Sequence, residues 1–353
     1  MQRESQHELD RYSRQVILPG IGPDGQRKLL NARVAVVGCG ALGCAAIDLL
    51  ARAGVASLGL IDRDVVEETN LQRQCLFTEA DAHEGAPKAV AAARRVAQIN
   101  SGVQCESHIR DLTFDSAEDL ILSPRRPDLI LDGTDNLETR YLLNDLAVKH
   151  AIPLVYGGVI ARRGMQMTVR PHPGPHATPC LRCVFPEPSS QIETCDTAGV
   201  LGPAVSIVAS LQAAAAIEII LDSVPHPPAL TEFDLGSGRF RTIDLSTLSS
   251  VRPGCICCGQ RRYEYLSGEK ARPAVSLCGR GAFQIPAGSE AIDLASLASR
   301  AARISSVRAT EFFVRVAPKD GVEMTVFADA RAVVRGVANE GEARALYDRI
   351  VGA

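Results

Sequence analysis

Apolar and polar positions along the first half of the chain alternate between two rhythms. "ARVAVVG" is a short β-branched run that ends in glycines and gives way to "ALGCAAIDLLARAGV", whose apolar positions recur at helical spacing, so the pattern predicts a strand, a tight turn and a helix. The same sequence of events repeats. "ASLGLID", "GVQCESHI" and "PDLILDGTD" read as further strands, and "KAVAAARRVAQIN" from Lys88 reads as a helix. Strands alternating with helices predict an α/β fold, a doubly wound Rossmann-like and mainly parallel sheet covered on both faces. The rhythm changes at "IPLVYGGV", because "GMQMTVRP" follows too closely for a crossover helix and is expected to pair antiparallel. A Pro-rich connection from His172 to Gly202 is longer than ordinary loops, which marks it as a functional or mobile segment. Beyond it come a helix from Pro203 and the strands "ALTEFDL" and "RFRTIDL", which extend the sheet antiparallel. "RPGCICCG" closes a first domain over residues 1–259. Residues 270–353 read strand, helix, two or three strands and a closing helix, a small C-terminal α+β domain.

Charge narrows the function classes. With 38 Lys and Arg against 41 Asp and Glu, the net charge of -3 lacks the basic excess that phosphate-backbone binding requires, so no nucleic-acid partner is expected. "MQRESQHELDRYSRQ" is charged and does not read as a secretory signal. The longest apolar stretch, "PAVSIVASLQAAAAIEIILDS", contains Gln212 and Glu218 and reads as a core helix rather than a membrane span. Eleven cysteines, an odd number, suit a reducing compartment, and the cytoplasm is expected.

"GCGALG" puts Gly38, Gly40 and Gly43 in a G-x-G-x-x-G pattern after a strand and before a helix, with Asp62 ending the next strand. Glycines there let phosphates approach a helix N-terminus, and the carboxylate can accept hydrogen bonds from ribose hydroxyls. Alone, this fingerprint is compatible with an NAD-dependent oxidoreductase. The residues after Asp62 point elsewhere. Asn70, Arg73, Gln74 and Lys88 supply donors and cations suited to the phosphates of ATP, and Asp132, Asp135 and Asn136 in "DGTDN" offer strand-end carboxylates suited to Mg²⁺. Each residue also has an ordinary reading, as a surface cation or a helix cap.

Taken in order, "RYSRQVILPGIGPDGQRKL", "VVGCGALG", "DRDVVEETNLQRQCLF", "PKAVAA", "LDGTDNLETRYLLND", "PCLRC", "CDTAGVLGPAVS" and "CICCG" resemble the ThiF/MoeB family, the adenylyltransferases of sulfur-carrier proteins, related to ubiquitin-activating enzymes. The resemblance implies that ATP adenylylates the C-terminal carboxylate of a small ubiquitin-like carrier ending in Gly-Gly, with release of pyrophosphate. Such a carboxylate, with a pKa near ~3.5, is ionised at neutral pH and needs no general base. By the same resemblance Asp62 binds ribose, Asn70, Arg73 and Lys88 contact phosphates, Asp135 holds Mg²⁺, and Arg14 reaches the opposite site of a homodimer. One departure is Ala41, where the family commonly has a glycine. "TCDTAG" and the extra C-terminal domain look more like longer bacterial ThiF proteins than MoeB, which implies a ThiS-like carrier and thiamine thiazole synthesis. A MoaD-like carrier for molybdopterin synthesis, or another sulfur-transfer pathway with its own sulfur donor protein, is the alternative.

The cysteines divide by spacing. Cys180 with Cys183 and Cys255 with Cys258 form two C-x-x-C half-sites, and four thiolates suit tetrahedral Zn²⁺, so in this family context a structural zinc is expected. Cys257 adds a further sulfur to the second half-site and is read as a bystander or alternative ligand. Cys195 has no partner at metal spacing. It matches by resemblance the loop cysteine implicated in a covalent link to the activated carrier, against the plain reading of a spare thiol. Cys39, Cys44, Cys75 and Cys105 are expected to be small buried hydrophobes and Cys278 to be structural, the tail being too short for a rhodanese domain.

Overall fold

Strand β1 (Arg33–Val37) shows why the sheet is wound on both faces, for all five of its residues are buried. Val34 and Val36 enter one apolar layer, and Ala35 and Val37 enter the other. The first layer is closed by helices α1 (Ala41–Ala53), α2 (Lys88–Ile99) and α4 (Gly202–Leu221), and the second by α3 (Leu137–Lys149) and the short helix Ala117–Leu122. The structure is a computed structural model that describes residues 9–171, 177–186, 198–223, 227–250, 252–270, 282–286, 288 and 291–352.

The chain separates into two compact units, residues 1–271 and 272–353. In the first, β2 (Ser57–Ile61), β3 (Gln104–His108), β4 (Leu129–Asp132), β5 (Leu154–Ile160), β6 (Arg163–Val169), β7 (Ala229–Asp234) and β8 (Arg239–Asp244) join β1 in the order β3-β2-β1-β4-β5-β6-β7-β8. Pairing is parallel from β3 to β5 and antiparallel from β5 to β8, the doubly wound sheet with antiparallel extension that the pattern predicts. The registers Val37↔Ile61 and Val37↔Asp132 bring the C-terminal ends of β2, β1 and β4 level. Loops leaving those ends therefore meet, which is where open α/β sheets bind ligands. Helix α4 is long and apolar enough to cross a membrane by composition. Its face of Ala204, Val205, Val208, Ala209, Gln212, Ala213 and Ala216 is buried, and it packs against β4, β5, β6 and α1.

The second unit is a five-stranded antiparallel sheet, β10-β11-β12-β13-β9, formed by β9 (Ala282–Ile285), β10 (Ser306–Ala309), β11 (Phe313–Lys319), β12 (Val322–Phe327) and β13 (Ala332–Arg335). Val314, Val316, Met324, Val326, Ala332 and Val334 pack with Leu297 and Ala301 of α5 (Leu294–Ala301) and Ala343, Leu346 and Ile350 of α6 (Glu340–Val351). Asp293 and Asn339 cap those helices. Sequence pattern does not reveal β10, because "SVRA" carries one apolar position of the alternation and stands at the sheet edge.

Candidate functional site

The glycine turn is built by close approach. Gly38 adopts φ +87°, and a Cβ there would lie 2.8 Å from the Gly133 carbonyl. A Cβ on Gly43 would lie 1.9 Å from the Gly38 oxygen, so both positions require glycine. Gly40 differs. It precedes the first turn of α1, and a Cβ on it would meet nothing within 4 Å. That open space before a 13-residue helix is where an anion would face free N–H groups. Ala41 is the first helical residue, so its departure from glycine leaves the helix start intact.

Asp62 follows β2 and fixes the turn, its Oδ2 accepting from Cys39 N and its Oδ1 from Asp64 N, both at 2.7 Å. Burial pushes its pKa up, and Lys88 is the strongest force pulling it back. Lys88 opens α2 with only 4% exposure, its ammonium 3.1 Å from Asp64 Oδ2. The short 3₁₀ turn Glu68–Asn70 buries Asn70, whose Oδ1 accepts from Glu67 N at 3.1 Å. Its Nδ2 and the Oε1 of neighbouring Gln74 are both buried without a hydrogen-bond partner among the described residues. Buried polar atoms left open in this way fit a bound ligand or water. Arg73 is half-buried and donates to Thr69 O at 2.8 Å.

At the end of β4, Asp132 is buried and its Oδ1 accepts from Thr134 N at 2.9 Å and Thr134 Oγ1 at 2.7 Å. Burial pushes the Asp132 pKa up, and Arg140, 3.7 Å away, opposes this. Arg140 also donates to Thr134 O at 2.6 Å and lies over the Tyr156 ring. Asp135 is exposed at the loop's tip, free in position to meet a hydrated cation and phosphates. Asn136 caps α3, accepting from Glu138 N at 2.9 Å and Thr139 N at 3.4 Å. Gly38, Gly40, Gly43, Asp62 and the loop of Asp132 to Asn136 thus gather at one end of the sheet, with Lys88 bound to the segment that follows Asp62.

Arg14 stands apart. Its short helix, Ser13–Val16, is pinned by Tyr12, whose hydroxyl accepts from Asn100 Nδ2 at 2.9 Å, and by Gln15, which donates to Ala53 O at 3.0 Å. Ala53 is the last residue of α1, roughly 20 Å along the helix from its N-terminus. Arg14 itself is exposed.

The two C-x-x-C pairs meet. Sγ separations are 3.8 Å for Cys180–Cys183, 3.7 Å for Cys180–Cys255 and 3.4 Å for Cys183–Cys258, and all four sulfurs lie within 4.8 Å of one another. Tetrahedral zinc with thiolate bonds of about 2.3 Å places sulfurs about 3.8 Å apart, so the set fits the ion. Cys257 is buried outside this quartet, its sulfur accepting from Asn144 Nδ2 at 3.3 Å. The same Asn144 accepts from Leu181 N at 2.8 Å, so one buried amide of α3 straps both half-sites. Arg182, between the first two cysteines, pairs with Glu264 at 2.8 Å and lies by the stacked rings of Tyr141 and Tyr265.

Of the other cysteines, Cys39 and Cys44 are fully buried as expected, with burial pushing both thiols up. Cys75 corrects the reading, because it is exposed although Leu76 and Phe77 beside it are buried. Cys105 is half-buried, its thiol pushed up to about 11 by desolvation. Cys195 and Cys278 lie outside the described residues.

A sequence model of the ThiF family matches residues 12–255, a span that holds the whole nucleotide end of the sheet and three of the four clustered cysteines, Cys180, Cys183 and Cys255. The chain belongs to the ThiF family. Within that family it is 38% identical over 345 residues to the sulfur carrier protein ThiS adenylyltransferase of Bacillus subtilis, covering 97% of this chain and 99% of that one. A sulfur carrier protein adenylyltransferase of Thermus thermophilus is 39% identical across 73% of this chain and 93% of its own. The adenylyltransferase and sulfurtransferase MOCS3 of Sus scrofa is 42% identical across 73% of this chain, which spans about half, 54%, of that protein. Among solved structures, Escherichia coli MccB with MccA-N7isoASN superposes with a TM-score of 0.61 at 22% identity, covering 71% of this ThiF-family chain and 74% of that one, a likeness of fold.

Proposed function

We propose that this protein is an ATP-dependent adenylyltransferase acting on the C-terminal Gly-Gly carboxylate of a small ubiquitin-like sulfur carrier. The observation that carries the reading is the open N-terminus of α1 at Gly40, level with Asp62 and the Asp135 loop, in a chain that aligns over 97% of its length with a ThiS adenylyltransferase. The carrier's carboxylate oxygen attacks the α-phosphorus of ATP, the bond to the β-phosphate breaks, and pyrophosphate leaves with the electron pair. No proton is moved, so the task is positioning and charge. Asp62 holds the ribose, and Gly38, Gly40 and Gly43 admit the phosphates. Asn70, Arg73, Gln74 and Lys88 line them, while Arg14 serves the partner's site in a homodimer. Its anchor at the far end of α1 supports that last assignment. Asp135 would hold Mg²⁺, which when bound would neutralise charge on the leaving phosphates. Cys180, Cys183, Cys255 and Cys258 would hold a structural Zn²⁺. Its thiolates suit a reducing compartment such as the cytoplasm.

A ThiS-like carrier is preferred because similarity to the ThiS adenylyltransferase runs through the second unit, whereas that to MOCS3 covers 73% of the chain. The MoaD-like alternative remains an outcome of the test. None of the relatives above is described as an NAD-dependent oxidoreductase, and that reading is set aside. ATP–pyrophosphate exchange should require a carrier with an intact Gly-Gly end and vanish when the last glycine is removed. Exchange with a MoaD-like carrier alone would reassign the pathway, and no exchange with ThiS-like, MoaD-like or related carriers overturns the reading. Cys195→Ala should keep exchange yet impair passage of sulfur from a donor protein. Full transfer would return Cys195 to a spare thiol.

A further inference from the structure

We infer that Gln212, in the middle of apolar helix α4, is a positioning residue for the loop that carries Asp135, an inference that rests on the adenylation reading above. Gln212 is fully buried, and its Nε2 donates to Asp132 O at 2.7 Å and to Val155 O at 3.3 Å. The Val155 carbonyl lies at the last residue of the β4·β5 register and the Asp132 carbonyl one residue beyond it, at the end of β4. The parallel register covers Ile130↔Leu154 and Leu131↔Val155, and β5 then continues beside antiparallel β6. One primary amide thus joins two strands where their own ladder stops.

Packing alone gives no reason for a glutamine there. The neighbours on the helix are Leu211 and a run of alanines, and a methionine would fill the same space without placing an amide in the core. The Gln212 Oε1 is buried with no hydrogen-bond partner among the described residues, a cost that a filler residue avoids. The sheet also makes room for the amide. A Cβ on Gly157 would come within 2.5 Å of the Gln212 carboxamide carbon, so any larger residue there would force the carboxamide to move. From Asp132 the constraint passes outward by short steps. The Asp132 carboxylate holds the N–H and hydroxyl of Thr134, Arg140 holds the Thr134 carbonyl, and Asp135 comes next.

The test compares wild type with Gln212→Met, Gly157→Ala and the Gly157→Ala/Gln212→Ala pair, by amide hydrogen exchange over residues 132–137, thermal melting, and Mg²⁺ titration of ATP–pyrophosphate exchange. Gln212→Met should stay folded, speed exchange of the 132–137 amides about tenfold, and raise the Mg²⁺ needed for half-maximal turnover by a similar factor, in line with losing about one buried hydrogen bond. Gly157→Ala should reproduce both effects with Gln212 in place. The double variant, in which the shortened side chain admits the new methyl group, should regain thermal stability without regaining the Mg²⁺ response. Unchanged amide exchange over 132–137 in folded Gln212→Met overturns the inference. So does a loosened loop with an unaltered Mg²⁺ response, since that would make Gln212 merely structural. Absence of turnover in wild type would instead sink the adenylation reading, and hydrogen exchange would still decide whether Gln212 fixes the loop.

Discussion

Helix α3 joins two sites of opposite construction. Its N-terminal cap, Asn136, belongs to the nucleotide loop, and Asn144, further along the same helix, straps the cysteine clasp. At the first site polar atoms are left open, as with Asn70 Nδ2 and Gln74 Oε1, and Asp135 faces solvent. At the second, three of the four sulfurs are buried and the intervening Arg182 is held by Glu264 and two tyrosine rings. A site that must admit and release ligands cannot satisfy its own donors and acceptors. A site that only holds chain segments together meets no such demand, and its buried ties give it rigidity.

The largest effect that would break this comparison is at the open site. Asp135→Ala should lower ATP–pyrophosphate exchange at least about a thousandfold by removing the metal anchor, with little change in melting temperature because the residue is exposed. A variant with wild-type exchange would place the metal elsewhere. At the closed site the order of effects reverses. Cys183→Ser should abolish stoichiometric zinc, measured by elemental analysis, and lower the melting temperature by about 10 °C. ATP affinity measured at a temperature where the variant is folded should change less than about threefold. A large loss of ATP binding in the folded variant would show that the clasp does more than hold segments.

The smallest effect concerns pH. Burial holds the Asp62 carboxyl above the ordinary carboxylate range, with Lys88 opposing. As pH falls from neutrality towards about 4, Asp62 takes up its proton early and loses the charge that receives ribose hydroxyls, so ATP binding should weaken a few-fold on the acid side. Titration calorimetry across that range should show this, and Asp62→Asn should flatten the profile. A flat wild-type profile would remove Asp62 from the nucleotide contact. The sign for stability is the reverse. A carboxyl raised in the fold stabilises it at low pH and loses that contribution as pH rises through the raised value, so ionised Asp62 is a cost to the ligand-free fold at neutrality.

Features fixed by local spacing were legible in the sequence. The glycine turn, the strand that leads to Asp62, the two half-sites and the parallel-to-antiparallel change at "IPLVYGGV" each follow from residues near one another in the chain. The roles of Gln212 and Asn144 were not, since each depends on partners 37 to 113 positions away that spacing along the helix does not reveal. Cys75 was misread for a related reason, since its neighbours Leu76 and Phe77 are buried while its own side chain faces out. Arg14 was assigned by resemblance alone, and its anchoring by Tyr12 and Gln15 appears only when Asn100 and Ala53 are brought beside them.

The stacking of Tyr141 on Tyr265 carries a spectroscopic consequence. The chain has six tyrosines and no tryptophan, so its intrinsic ultraviolet emission is tyrosine emission. Tyr141 and Tyr265 flank Arg182 at the clasp, and Tyr263 packs in the same layer, whereas Tyr156 lies under Arg140 beside the nucleotide loop. Half of the chain's natural fluorophores therefore report on the cysteine cluster and one on the loop, so that opening of the clasp registers optically without any added label.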